Sequence, residues 1–169
     1  MIRNIIVFAL TLCVMLTAGY LNIAVGETVL CGGEIDTMTT FGDTIAVHTG
    51  YILRNYNSDG TITIKRIVVY DADGNIRCDY PNIDPFPTTF KSSLSPHQST
   101  NIGSGGNMGT CKNGISPQNG GHIQTIIDWS FSGKSGKKPL SVVGGFILMN
   151  TTDEYVVGLT PFSCGESVK

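Results

Sequence analysis

Apolar side chains recur at every second position in several segments of this chain. Residues 44–54 and 122–131 show the pattern most clearly. The shared face of the first holds Ile45, Val47, Thr49, Tyr51 and Leu53, and that of the second holds Ile123, Thr125, Ile127 and Trp129. Alternation at period two, in residues that are largely β-branched or aromatic, predicts strands with one buried face. Trp129 is expected to anchor the core from such a strand.

Three further segments favour strands. Residues 140–149 and 154–160 are rich in β-branched and apolar residues. Residues 61–70 begin with alternating isoleucines and change phase after Lys65-Arg66. That change of phase predicts either a bulge or a strand end that is buried on both faces.

No amphipathic helix is predicted. After residue 26, every window of a dozen residues either lacks an apolar stripe at helical spacing or is interrupted by glycine or proline. Short strands separated by turn residues predict an all-β chain, folded as an antiparallel β-sandwich of about seven strands. Residues 27–169 are numerous enough to bury one core, and we expect them to form a single domain.

The first 26 residues predict a secretory signal peptide. Arg3 is their only charge, residues 5–18 are almost wholly apolar, and Ala24–Gly26 offers the small residues that a signal peptidase reads. Cleavage after Gly26 would deliver the protein to the periplasm or the extracellular space. The alternative is an uncleaved helix that anchors the protein, since residues 5–25 nearly reach the length of a bilayer span.

Four cysteines follow this segment: Cys31, Cys78, Cys111 and Cys164. An even number in an exported chain predicts two disulfides, for which three pairings exist. We favour Cys31–Cys164, which would tie the two ends of the domain, and Cys78–Cys111, which would close its long middle loop. The sequence has no CxxC pair and no HxxxH motif, and we expect neither a metal nor a cofactor.

Charge and motif spacing argue against phosphate or nucleic acid recognition. The net charge is −2, and the basic residues form no block beyond the three lysines within 134–138. Nucleic acid binding needs a larger basic surface. GKS at 133–135 matches the end of a phosphate-binding loop, but Asp128 replaces its first glycine and Pro139 prevents the helix that must follow. We therefore predict a turn with solvated lysines.

The stretch YDADGN, residues 70–75, has two interpretations, a calcium loop or a hairpin turn. Asp71, Asp73 and Asn75 fit the first three oxygen ligands of an EF-hand loop. Ile76, however, stands where that loop requires glycine, and asparagine stands in place of the final glutamate. Asp-Gly between two β-rich segments is a strong hairpin signal. We therefore predict a turn.

No catalytic constellation is evident. A GxSxG nucleophile elbow is absent, and His48, His97 and His122 fall on or near different predicted strands. His48 is expected to face solvent, on the side of its strand opposite to the buried one, and His97 to lie in a turn. A copper or zinc site built from two of the imidazoles is the alternative chemistry.

A polar region over 81–121 divides the chain. TTFKSSL, residues 88–94, is expected to add one strand. The run over 101–121 is rich in glycine, asparagine and serine, and we predict a long surface loop that is too glycine-rich to pack, pinned at Cys111. Long loops on rigid sandwiches often carry function, although some are merely tolerated insertions.

The order of these segments resembles a family of short exported bacterial proteins of unknown function. The resemblance covers about 45–160. The matching motifs are LRN at Leu53–Asn55, the Tyr70-Asp71 hairpin with Gly74, the turn with Leu94, Pro96 and Ser99, and Trp129. The resemblance implies an immunoglobulin-like sandwich and no catalytic residues. The four cysteines and the glycine-rich loop depart from the family pattern.

These features together predict a non-enzymatic binding module, exported or associated with the cell envelope, that contacts a protein or a glycan through its loops. The first alternative is a periplasmic small-ligand or metal-binding protein that uses histidines. The second is a hydrolase with an unrecognised site. Membrane association is expected only if the N-terminal segment stays uncleaved.

Overall fold

The computed structural model describes residues 26–40, 43–103, 111, 113, 121–134, 139–150 and 155–166. All regular structure in these residues is β-strand, which confirms the all-β prediction. The strands are β1 (Gly26–Thr40), β2 (Asp43–Arg54), β3 (Thr61–Tyr70), β4 (Ile76–Tyr80), β5 (Ser93–Leu94), β6 (Ser99–Gly103), β7 (Gly121–Ser132), β8 (Ser141–Asn150), β9 (Tyr155–Ser163) and β10 (Gly165–Glu166). No helix in this part of the chain is long and apolar enough to cross a bilayer. The predicted signal peptide lies outside the described residues, apart from Gly26.

Every strand pairing is antiparallel, and β1 belongs to two sheets. Its residues 26–35 pair with β7, which gives sheet A the order β4-β3-β7-β1, with β10 beside β1 and β5 beside β3. Its residues 36–40 pair with β2, which gives sheet B the order β1-β2-β8-β9, with β6 beside the far end of β2. Seven strands lie on this continuous path and three pair off it, ten strands in all among the described residues instead of about seven.

The inner faces of the two sheets share one hydrophobic core. Ile35, Leu53, Ile67 and Ile127, at most 1% exposed, come from β1, β2, β3 and β7 and belong to the same cluster. Tyr51 links the layers with hydrogen bonds, because its hydroxyl on sheet B donates to the carbonyl oxygen of Gly32 on sheet A at 3.0 Å. The fold is therefore an antiparallel β-sandwich.

The structure confirms the patterns predicted for β7 and β3. Every second side chain of β7 from Ile123 to Phe131 is buried, and Trp129 is 1% exposed, as predicted for a core anchor. In β3 the pairing register shifts between Ile64 and Arg66, which is the predicted bulge. Burial on both faces follows the bulge, because three consecutive residues from Ile67 are buried.

Two disulfides brace the sandwich. Cys31 in β1 bonds Cys164 beside β10, with Cα atoms 4.6 Å apart, and Cys78 in β4 bonds Cys111, with Cα atoms 5.4 Å apart. These are the pairings that we favoured from the sequence. Two intrachain disulfides fit an oxidising, exported environment.

Two expectations for the middle region were wrong. Of residues 88–94, only Ser93–Leu94 form a strand, because a turn closes between Phe90 and Pro87 and places the Phe90 ring on that of Phe86 in the core. The predicted loop over 101–121 begins later than expected, since residues 101–103 belong to β6 and Ile102 is 1% exposed. Cys111 is also buried, and its disulfide partner Cys78 lies in the core. Most of the remaining loop lies outside the described residues.

Candidate functional site

The YDADGN stretch forms the predicted turn between β3 and β4. Asp71 and Asn75 close it through a backbone hydrogen bond of 3.0 Å, and Gly74 adopts a positive φ of 82° that glycine tolerates without strain. The Asp71 carboxylate accepts hydrogen bonds from the backbone N–H groups of Asn75 and Asp73 and pairs with Arg77 at 2.9 Å. Chiefly through the Asn75 backbone bond, these donors lower the pKa of Asp71. Asp71 therefore stabilises the turn by accepting hydrogen bonds from the turn's own backbone.

The three histidines lie on separate elements. His48 is on β2 opposite Ile147, His122 is on β7 opposite Glu34, and His97 is in a turn with φ of 62°. No group of three histidine, cysteine, aspartate or glutamate residues within the described ranges is arranged to hold a metal ion. The structure therefore assembles no metal site of three such ligands within these ranges, and the alternative built from two imidazoles stays a prediction.

His48 differs from its expected position. The side chain is half-buried instead of solvent-facing, and no described residue gives its buried Nδ1 atom a hydrogen bond. Burial lowers the pKa of His48, which favours the neutral imidazole. The His48 side chain is half-buried because the outer face of sheet B is partly apolar around it, with Ala46 buried and Ile147 directly opposite.

The most buried carboxylate in an ion pair of the described residues, that of Asp79, has a structural role. Asp79, which is 3% exposed, accepts two hydrogen bonds of 2.8 Å from the Arg66 guanidinium and one of 3.2 Å from Asn82. The Arg66 bonds are the main reason that the pKa of Asp79 is lowered. The Asp79 backbone also bonds Asp84 and Ile83, so the group fixes the turn after β4.

A row of small residues crosses the outer face of sheet B. Gly50 on β2 lies opposite Gly103 on β6 and opposite Gly145 on β8, and Gly145 lies opposite Pro161 on β9. Gly50 faces outward because its neighbours Thr49 and Tyr51 are buried in the core. We call the depression over these four residues the glycine trough.

Branched aliphatic side chains form the walls of the glycine trough. Ile52 and Val143, opposite each other and each 42% exposed, stand on one side. Ile147, opposite His48, stands on the other side. The cavity measures about 390 Å³, within the range of small-ligand sites, and no charged side chain lines it.

Neither the backbone conformation nor close packing requires glycine at positions 50 and 103 of the trough. Gly50 and Gly103 do not have positive φ, and a Cβ atom on Gly50 would come no closer than 3.9 Å to any neighbour. Glycine inside a strand costs stability and often marks a place where something approaches the backbone. The trough is therefore a candidate binding surface.

Sequence reasoning missed the glycine trough. Gly50 and Gly145 are visible as interruptions within predicted strands, whereas Gly103 falls in the predicted loop over 101–121. Their alignment depends on the pairing register of β6, β2 and β8, which alternation within one strand does not determine.

The chain matches no known protein family, no characterised protein and no solved structure at a significant level. The resemblance to short exported bacterial proteins therefore stays a prediction, and functional inference depends on the geometry described above.

Proposed function

We propose that this protein is an exported, non-enzymatic binding module with an immunoglobulin-like sandwich, and that it binds its partner through the glycine trough. The observation that carries the proposal is the row of glycines across sheet B, which leaves an open apolar depression of about 390 Å³. Export is supported by the two disulfides. The immunoglobulin-like assignment is supported by the path of seven strands over two sheets.

The chemistry of the trough favours an apolar partner surface over a glycan. Sugar binding relies on hydrogen-bonding side chains and exposed aromatic rings, whereas the walls here are Ile52, Val143 and Ile147. The proposal therefore places the contact on a sheet face and replaces the expectation that the loops make it. The scattered histidines and the structural use of Asp71 and Asp79 favour binding over catalysis among the described residues.

Site-specific photo-crosslinking in the cell envelope tests this proposal. A photoreactive amino acid replaces Ile52 on the trough wall, and the matched control replaces Gln124, which is exposed on the outer face of sheet A. We expect a defined adduct from position 52 and none from position 124. Adding Gly50→Val, which fills the trough, should abolish the adduct. Equal labelling from both positions, or no adduct from position 52, would refute the proposal.

A further inference from the structure

We infer that the Cys31–Cys164 disulfide is a redox-sensitive switch, which a dithiol reduces while Cys78–Cys111 stays oxidised, and that its reduction releases β10 from the edge of β1. The inference goes beyond the proposed function and does not depend on the glycine trough. Three observations carry it: the unequal burial of the two disulfides, a groove beside Cys164, and the small number of residue pairs that hold β10 to β1.

The two disulfides differ in burial. Cys78 is 0% exposed and Cys111 is 6% exposed, so both sulfurs of that pair are shielded. Cys31 is also buried, at 2% exposed, but Cys164 is half-buried and both of its neighbours in the chain are exposed. Thiol–disulfide exchange needs access of a thiolate to one sulfur of the pair. Cys164 therefore supplies the sulfur at which exchange can begin.

A groove of about 430 Å³ lies beside Cys164. Its lining includes Tyr56, Pro139 and Ser163 together with Cys164 itself. None of the described residues that line the groove is charged, so a negatively charged thiolate meets no carboxylate there. The groove therefore gives a thiolate a neutral approach to Cys164.

Exchange at Cys164 follows two steps. A thiolate of the dithiol attacks the Cys164 sulfur, a bond forms between these two sulfurs, and Cys31 leaves with the electron pair as a thiolate that takes up a proton. The second thiol of the dithiol then attacks the sulfur that is bound to Cys164 and displaces the Cys164 thiolate. The dithiol is thereby oxidised to a disulfide by two electrons, and the protein gains two thiols.

The Cys31–Cys164 disulfide continues the pairing of β1 with β10. Residues 29–30 of β1 pair with residues 165–166 of β10 in an antiparallel register, and Cys31 and Cys164 are the next pair in that register. Their Cα atoms are 4.6 Å apart, as expected for residues that lie opposite each other without exchanging hydrogen bonds. The disulfide is therefore one of three consecutive cross-strand pairs that hold β10.

Among these three pairs, one supplies the backbone hydrogen bonds. The Glu34 N–H donates to the Thr49 hydroxyl oxygen at 2.7 Å, and the Glu34 carbonyl oxygen accepts from that hydroxyl at 2.6 Å. Even-numbered residues of β1 therefore direct their backbone groups away from β7. Leu30 accordingly exchanges hydrogen bonds with Gly165, whereas Val29 bonds β7. Because so short a strand pairing is marginal on its own, β10 depends on the disulfide for its position.

Reduction should change the edge of sheet A at one end of β1. Release of β10 would remove the partner of the Leu30 N–H and C=O groups. The carbonyl of Gly32 and the backbone of Glu34 would keep their partners, which are side chains of β2. The change is therefore confined to a site that single backbone amides can report.

Timed reduction of the mature, oxidised protein with dithiothreitol, without denaturant, tests the selectivity. Samples are quenched with acid, unfolded and alkylated, and peptide mass spectrometry identifies the alkylated cysteines. We expect Cys31 and Cys164 to be reduced at least about tenfold faster than Cys78 and Cys111, because Cys164 is the accessible sulfur. In denaturant the two disulfides should be reduced at similar rates, since the fold causes the difference.

Amide hydrogen exchange, followed by nuclear magnetic resonance, tests the release of β10. In the selectively reduced protein the Leu30 amide should exchange at least about tenfold faster than in the oxidised protein, because it loses its Gly165 partner. The adjacent Val29 amide is the matched control and should not change, because it bonds β7. The double variant Cys31→Ser/Cys164→Ser should show fast Leu30 exchange without any reductant, and protection at Val29 reports that this variant is folded.

Four results would overturn the inference. Two of them concern reduction: equal or reversed rates for the two disulfides, or resistance of both to dithiothreitol in the folded protein. The other two concern exchange after selective reduction: an unchanged Leu30 amide, which would show that β10 stays paired, or faster exchange at both Leu30 and Val29, which would show that β1 also leaves β7. None of these results bears on the proposed function, which the crosslink at position 52 tests separately.

Discussion

The Tyr51 hydroxyl forms hydrogen bonds between the two sheets, and its removal should be measurably destabilising. Tyr51 is 1% exposed, donates to the Gly32 carbonyl oxygen at 3.0 Å and accepts from the Thr125 hydroxyl at 3.0 Å. Tyr51→Phe keeps the ring in the core and removes both bonds. Each buried hydrogen bond contributes about 1 kcal/mol net, so we expect the free energy of unfolding to fall by roughly 2 kcal/mol.

Urea unfolding of the oxidised protein at pH 7 measures this loss. Fluorescence of Trp129, the only tryptophan, reports on the core because its side chain is buried. Thr125→Val should cost roughly 1 kcal/mol, and the double variant should cost less than the sum, because the bond between the two hydroxyls is lost only once. Tyr56→Phe, at an exposed tyrosine, should change stability by less than about 0.5 kcal/mol. Additive losses, or a Tyr51→Phe variant as stable as Tyr56→Phe, would refute the reasoning.

Three further outcomes follow from the same core. Burial raises the pKa of Tyr51 and of Tyr80 to about 12. Their neutral hydroxyls therefore contribute fully to the free energy of unfolding below pH 10, and that free energy should fall between pH 10 and 12. A constant free energy of unfolding over that range would contradict this prediction. The Arg66 hydrogen bonds lower the pKa of Asp79, so stability should decline in acid as pH falls below 3.8, and Asp79→Asn should flatten that decline in urea titrations. Gly33→Ala should cost roughly 2 kcal/mol of unfolding free energy, because a Cβ atom there would lie 2.7 Å from the Tyr51 hydroxyl; wild-type stability would show that the neighbours yield easily.

Features that depend on a few neighbouring residues were predictable. The Asp73-Gly74 turn follows from glycine geometry, and the bulge near Lys65 follows from a change in apolar phase. The disulfides were favoured on sequence order alone, and the strands of Cys31 and Cys78 bring each cysteine to its partner.

Features that depend on residues distant in the sequence could not be predicted. No strand was predicted over Gly26–Thr40, because paired glycines interrupt its alternation at 32–33. The structure gives the reason for Gly33, since the Tyr51 hydroxyl occupies the space that a side chain would need. The glycine trough has the same origin, because only the register of three strands aligns its residues.

The proposed function depends on export followed by oxidation of the two cysteine pairs, and one measurement tests this proposal directly. Intact mass spectrometry of the protein recovered from its native compartment, before and after reduction, reads the N-terminus and the thiol state together. We expect a chain that begins at Glu27 and gains one pair of hydrogen atoms for each of two disulfides on reduction. A chain that still begins at Met1, or four free thiols in Cys31, Cys78, Cys111 and Cys164, would contradict the assignment of an exported, disulfide-braced binding module.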